Sequence, residues 1–154
     1  MGLKIGIAAD HAGKELKELI AAFIRMKSFD VVDFGVDIAS DKSVDYPDYA
    51  AILAENINAG KIDRGVLICG TGIGMSIAAN KFPGIRAAVV TDEYTARMSR
   101  AHNDANIICL GSRVLNHHRA TDLVAAWLDS AFEGHRHQAR LDKVRNIERR
   151  FLQK

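Results

Sequence analysis

Cys69 is the residue from which chemistry can be argued first. It closes the apolar run Val66-Leu67-Ile68 and opens a turn containing Gly70, Gly72 and Gly74, after which Met75 to Lys81 reads as a helix of mostly small residues. Glycines permit positive φ and let backbone approach a ligand closely, and a helix start adds free N–H groups and a positive dipole end. A thiol is thus expected beside a ring of backbone amides. Such a place suits an anion and favours a thiolate over a thiol, although an ordinary strand-to-helix turn after a buried cysteine would use the same residues.

The glycine turn resembles several phosphate-binding patterns and fails each of them at a definite position. A nucleotide-cradling loop needs Lys and then Ser or Thr after its last glycine, whereas Gly74 is followed by Met75-Ser76. A dinucleotide fingerprint belongs after a first strand, and counting from Gly70 places Met75 where its third glycine should stand. A cysteine phosphatase would want an arginine at position 75 to hold the phosphate. What remains is a thiol next to an oxyanion hole, the arrangement that abstracts a proton from carbon alpha to a carbonyl and holds the enediolate that results. If the substrate is a sugar phosphate, its ring must also be opened, for which His11, His102 and Asp10 are candidates. Its phosphate must be held by cations, for which Arg136 and Arg140 are candidates. Four residues apart, those two arginines share a face if a helix begins there.

These residues need a scaffold, and the apolar pattern supplies one. Strands are expected at Lys4 to Ala9, Asp30 to Phe34, Val66 to Cys69, Ala87 to Val90 and Ile107 to Leu110, each a short apolar run. Helices are expected between them: one with the face Leu16, Leu19, Ile20, Phe23 and Ile24, one from Pro47 to Asn58, one after Gly74, and one from Glu93 to about His102 capped by Thr91 or Asp92. Two more follow, near Arg119 to Phe132 and along the charged tail, about 138 to 153, where Leu141, Val144, Ile147 and Phe151 form an apolar stripe. Strands alternating with helices, each strand apolar throughout, predict a three-layer α/β/α fold with a five-stranded parallel sheet, Rossmann-like, in one domain spanning 1–154. Ligands of such sheets bind beyond the C-terminal ends of the strands. Asp10-His11, Cys69-Gly70-Thr71, Thr91-Asp92 and Gly111-Ser112-Arg113 should meet at that rim, and His102 is expected there too.

Composition excludes little and directs attention to local features. With a net charge of +2 and 26% charged residues over 154 positions, nothing draws the whole chain to nucleic acid or membrane, and no apolar run approaches the ~20 residues of a membrane span. No secretory leader is visible, so a cytoplasmic location with two free thiols is expected, Cys109 as an inert core residue. His117 and His118 read as a solvated helix start. His135 and His137 look like a metal pair, but no third ligand stands at suitable spacing, so no metal is expected. The basic tail reads as a solvated helix face rather than a nucleic-acid arm, having only Phe151 for stacking.

Taken together, Ala9-Asp10-His11-Ala12-Gly13, Asp45-Tyr46-Pro47, Cys69 to Gly74, Ala78-Ala79-Asn80-Lys81, His102 to Asn106, Gly111-Ser112-Arg113 and Arg136-His137 with Arg140 are similar to the type B branch of the ribose/galactose phosphosugar isomerase family, over nearly the whole chain. The resemblance implies a cofactor-free and metal-free aldose–ketose isomerase acting on ribose 5-phosphate and ribulose 5-phosphate. It also implies a homodimer or dimer of dimers whose sites borrow residues from both subunits, with the C-terminal helix at the interface. Position by position, it implies Cys69 as the base, Thr71 as its assisting hydroxyl, and Gly70, Gly72 and Gly74 as the anion hole. His102 would open the ring with Asp10 as partner, Tyr46 and Asn103 would contact the sugar, and His11, Arg113, Arg136 and Arg140 would hold the phosphate. Members that lack the thiol use a glutamate at the position of Met75, so this chain resembles the thiol-using branch. Relatives acting on allose 6-phosphate, galactose 6-phosphate or a tetrose phosphate share the scaffold, and a non-catalytic phosphosugar-binding module would too.

Overall fold

The computed structural model describes residues 2–151. The chain alternates β1 (Lys4–Ala9), α1 (Lys14–Met26), β2 (Asp30–Asp33), α2 (Tyr46–Asn58), β3 (Arg64–Cys69), α3 (Ile73–Ala79), β4 (Ala87–Val89), α4 (Glu93–Ala101), β5 (Ile107–Gly111), α5 (His117–Leu128) and α6 (Arg136–Phe151). The strands form one five-stranded sheet in the order β2-β1-β3-β5-β4, every pairing parallel. Chain progression reverses direction between β1 and β3, so the ends of these two neighbours, at Ala9 and Cys69, border a topological switch point.

Alternation along the strands splits the interior into two cores. On one face Ile7, Val66, Ile68 and Ile108 pack with Ile20 and Ile24 of α1 and with Leu123 and Trp127 of α5. On the other, Leu67, Cys69, Ile107 and Cys109 pack with Leu53 of α2 and with Met75 and Ala79 of α3. Each fully buried aliphatic side chain contributes about 1.5 to 3 kcal/mol, which is why strands with two buried faces are apolar throughout. Cys109 is fully buried, as expected of a core thiol, and burial raises its pKa far above the ordinary thiol range, keeping it protonated.

Local signals set most helix ends. The Asp92 carboxylate accepts from Thr95 N at 2.8 Å to start α4, and Asn116 Oδ1 accepts from Arg119 N at 2.8 Å to start α5. That asparagine cap begins α5 at His117 rather than Arg119, leaving His117 and His118 exposed, and the helix stops at Leu128 rather than Phe132. The tail helix begins at Arg136, two residues before the expected start at 138, and the expected residues 152 and 153 lie outside the described part. Of its apolar stripe only Leu141 is buried, while Val144, Ile147 and Phe151 are each more than half exposed. Among the described residues no helix is long and apolar enough to cross a membrane.

Candidate active site

The C-terminal ends of β1, β3 and β5 build one cluster. Gly72 takes φ +78°, a left-handed conformation at the N-cap of α3, and this turns its N–H to donate to Cys69 Sγ at 3.2 Å. A Cβ at Gly72 would stand 3.0 Å from the Leu110 carbonyl carbon, so the close packing of this turn on β5 also requires glycine. Ser112 N donates to Cys69 O at 2.8 Å and Arg113 N donates to Gly70 O at 3.0 Å, which locks the turn to the residues after β5. The Arg113 guanidinium lies against Gly70, Tyr46 lies against Gly74, and Thr71 Oγ1 accepts from Ile73 N at 3.3 Å.

Asp10 is buried, and its Oδ1 accepts from Ala12 N at 2.9 Å and Gly13 N at 3.2 Å, folding the β1–α1 connection back on itself. His11 is exposed, and its Nδ1 pairs with the Val44 backbone at 3.0 Å, leaving Nε2 for a ligand. Nine of the expected residues therefore gather at one rim: Asp10, His11, Tyr46, Cys69, Gly70, Thr71, Gly72, Gly74 and Arg113.

His102, Asn103, Arg136 and Arg140 do not join them. In a parallel sheet a helix returns the chain from the C-terminal to the N-terminal edge, and His102 caps the end of α4, just before β5 begins. The expectation that His102 shares the rim with Cys69 is thus corrected. It stands at the opposite edge, separated along the strands by the length of β3 (Arg64–Cys69), about 17 Å at ~3.3 Å per residue. There the loop after α4 is pinned by Asp104, which bridges Arg86 at 2.8 Å and Arg100 at 2.9 Å. Arg136 and Arg140 are exposed one turn apart on α6, as expected of a pair that shares a helix face.

One group at this edge was not legible from spacing. Glu133 N donates to Ala101 O at 3.0 Å, bringing the segment before α6 against the end of α4. The His102 and His137 rings stack with centroids 4.1 Å apart and planes within 9°. Glu133 Oε2 lies 3.8 Å from His102 Nε2 and 3.5 Å from His137 Nε2. The sequence expectation that no third potential ligand accompanies His137 is therefore corrected, since donor atoms of His102, Glu133 and His137 lie within 4.8 Å of one another. Two imidazoles coordinate one ion only if it lies in both ring planes about 2.0 to 2.1 Å from each nitrogen, and nearly parallel stacked planes do not meet there. Glu133 gives no signal in the sequence beyond an acid four residues before a histidine.

The chain as a whole has close counterparts among known proteins. Escherichia coli ribose-5-phosphate isomerase B is 46% identical over 147 residues, covering 96% of this chain and 97% of the other. The structure of Clostridium thermocellum ribose-5-phosphate isomerase B superposes with a TM-score of 0.93 at 52% identity, over 97% of this chain and 99% of that one. The structure of ribose-5-phosphate isomerase B from Mycoplasma genitalium with bound ribulose-5-phosphate superposes with a TM-score of 0.90 at 41% identity, over 97% and 98% of the two chains. Residues 5–144 match the family described as Ribose/Galactose Isomerase, and the chain belongs to that family.

Proposed function

We propose that the protein interconverts D-ribose 5-phosphate and D-ribulose 5-phosphate through an enediolate. The observation that carries this reading is Cys69 Sγ, held at the mouth of the glycine turn with the Gly72 amide 3.2 Å away. The same small volume then offers a base for the carbon-bound proton and N–H donors for the oxygen that becomes charged. Similarity to isomerases of this sugar phosphate over nearly the full chain supports the choice of substrate.

In the proposed reaction each of these residues has one step. His102 gives a proton to the ring oxygen as the bond from that oxygen to C1 breaks, and Asp10 accepts the C1 hydroxyl proton, leaving an aldehyde at C1. Cys69 removes the proton from C2, and the electron pair of that C–H bond becomes the C1–C2 double bond as the C1 oxygen takes the negative charge among the amides of Gly70, Gly72 and Gly74. Proton exchange between the two enediolate oxygens, with Thr71 beside them, precedes return of the Cys69 proton to C1, which leaves the ketone at C2. Tyr46 and Asn103 contact the sugar, and His11, Arg113, Arg136 and Arg140 take the phosphate.

His102 and Cys69 act on atoms of one small molecule yet stand at opposite edges of the sheet. We infer that the site is completed by a second copy of the chain, whose His102, Asn103, Arg136 and Arg140 edge meets the Cys69 rim of the first. The uncovered apolar stripe of α6, beside a groove of about 470 Å³ that reaches Asn103, supports an interface there.

The test is the Cys69→Ala variant assayed in heavy water. It should lose turnover of ribose 5-phosphate and lose solvent exchange of the C1 hydrogens of ribulose 5-phosphate, while remaining folded by circular dichroism. Near-normal turnover in that variant would overturn the assignment, and binding without exchange in the native protein would make it a phosphosugar-binding module.

A further inference from the structure

We propose that His137 and Glu133 are positioning residues for His102, holding its imidazole in the orientation that ring opening requires. This rests on the reading above that His102 opens the sugar ring.

Three observations converge. First, the His137 ring lies flat against the His102 ring, with centroids 4.1 Å apart and planes within 9°, and His137 itself is buried while the His102 side chain is 32% exposed. One imidazole is fixed in the protein and the other rests on it with an edge toward solvent. Second, His137 Nε2 is buried without a hydrogen-bond partner, so the ring is not retained at this place to satisfy a structural hydrogen bond at that atom. Third, Glu133 Oε2 stands across both Nε2 atoms at 3.8 and 3.5 Å, and the same residue is tied to α4 through its backbone. Gly134 at φ +67° and His135 at φ +46° make the reversal that brings position 133 and position 137 to the same ring pair. Two successive left-handed residues are costly outside glycine, and here they serve this placement.

The charge state agrees with the geometry. Burial first, then the charges of His102, Arg136 and Arg140, lower the His137 pKa below the ordinary imidazole range, with Glu133 partly opposing them. His137 is accordingly a neutral, flat surface beside His102 at neutral pH. A chi-angle rotation of His102 away from the stack would lose the face contact and the carboxylate together, so the pair restricts the nitrogen that reaches the substrate to one direction.

Substrate chemistry separates orientation of His102 from the rest of catalysis. Ribose 5-phosphate is a ring that must open. Ribulose 5-phosphate is open already, because the phosphate blocks the only hydroxyl that could close a five-membered ring on its C2 ketone. Exchange of the C1 hydrogens of ribulose 5-phosphate with deuterium therefore reports Cys69 and the enediolate without the ring-opening step. For His137→Ala, ribose 5-phosphate turnover should fall about tenfold, within the ~10² cost of misplacing a catalytic group by about 1 Å, while deuterium exchange stays within about twofold. His137→Phe, which keeps a flat buried face and gives up only the 3.5 Å approach of Glu133 to a nitrogen that makes no hydrogen bond, should recover most of the loss. Glu133→Gln, at a position 56% exposed, should show the same split to a smaller degree and serves if His137→Ala does not fold. His102→Ala is the control for the underlying reading. If it shows the split and the His137 and Glu133 variants lower both activities in proportion, or lower neither, the positioning role is refuted alone. If His102→Ala lowers both equally, the ring-opening role of His102 falls, and this inference with it.

Discussion

Gly74→Ala should produce a protein that is at least as stable as the native one and clearly less active. Gly74 is the second residue of α3, where alanine in place of glycine stabilises a helix by up to about 0.5 to 1 kcal/mol. A Cβ at this position would stand 2.8 Å from Tyr46 Cε2 and Cζ and 3.1 Å from Cε1, with no backbone atom among its nearest contacts. Carbon atoms prefer about 3.5 Å or more, so the ring must retreat by about 0.7 Å. Tyr46 is 40% exposed at the first turn of α2, so its ring can swing toward solvent without breaking a core contact. The fold is therefore spared, and the cost falls on the place of the Tyr46 ring beside the glycine turn. With Tyr46 contacting the sugar as proposed, its misplacement by that distance corresponds to about 5- to 50-fold in kcat/KM, or roughly 1 to 2.3 kcal/mol of transition-state stabilisation. Thermal unfolding and steady-state turnover of ribose 5-phosphate measure the two quantities on the same sample. Tm unchanged or raised with kcat/KM reduced is the expected pair. Native kcat/KM in Gly74→Ala, with a large loss in Tyr46→Ala, would refute the argument that Gly74 is needed to seat Tyr46.

Two further outcomes can be checked. Cys69→Ala and His102→Ala should each fail to turn over ribose 5-phosphate, and their co-expressed mixture should regain about a quarter of native turnover of that substrate, because half of randomly paired dimers are mixed and each of those holds one intact site; a mixture without turnover would place the whole site within one chain. Lys17 is buried and paired with Asp33 and with Glu18 at 2.8 Å; burial opposes its charge, but the hydrogen bonds and charges of Asp33 and Glu18 prevail and raise its pKa. Its contribution is therefore fully present below the unfolded lysine value of about 10.4 and is lost as pH rises through the higher folded value, so the stability gap between native protein and Lys17→Met, about 1 to 3 kcal/mol by denaturant unfolding at pH 7, should narrow above that range.

Periodicity was enough to find the five strands and to bring Cys69, Asp10 and Arg113 to one rim, because the central strands β1, β3 and β5 bury both faces and the connections put strand ends in register. The same alternation contains the information that corrected His102. A residue that follows a helix and precedes a strand in a parallel sheet lies at the N-terminal edge, whereas a residue that follows a strand lies at the other. Polar composition, which is shared by both kinds of loop, hid that distinction. Glu133 was invisible for a different reason: its approach to His102 depends on left-handed conformations at Gly134 and His135 and on a backbone bond to Ala101, none of which leaves a periodic trace.

The stripe on α6 is the remaining difference, and it joins the two edges of the sheet into one argument. Leu141, Val144, Ile147 and Phe151 have the spacing of a core-facing helix, yet only the first is covered by the chain's own residues. A hydrophobic period says that a face avoids water and does not say which molecule covers it. Here the uncovered face lies on the helix that begins with Arg136, Arg140 and the His137 that backs His102, and its groove reaches Asn103. Arg136 and Arg140, proposed to hold the phosphate, and His137, which lies against His102, thus share α6 with apolar side chains that the described residues leave more than half exposed. Burying that surface against a second copy would do two things at once: remove the three exposed apolar side chains from water, and carry a phosphate-binding and ring-opening edge toward a thiol rim that a single chain leaves about 17 Å away.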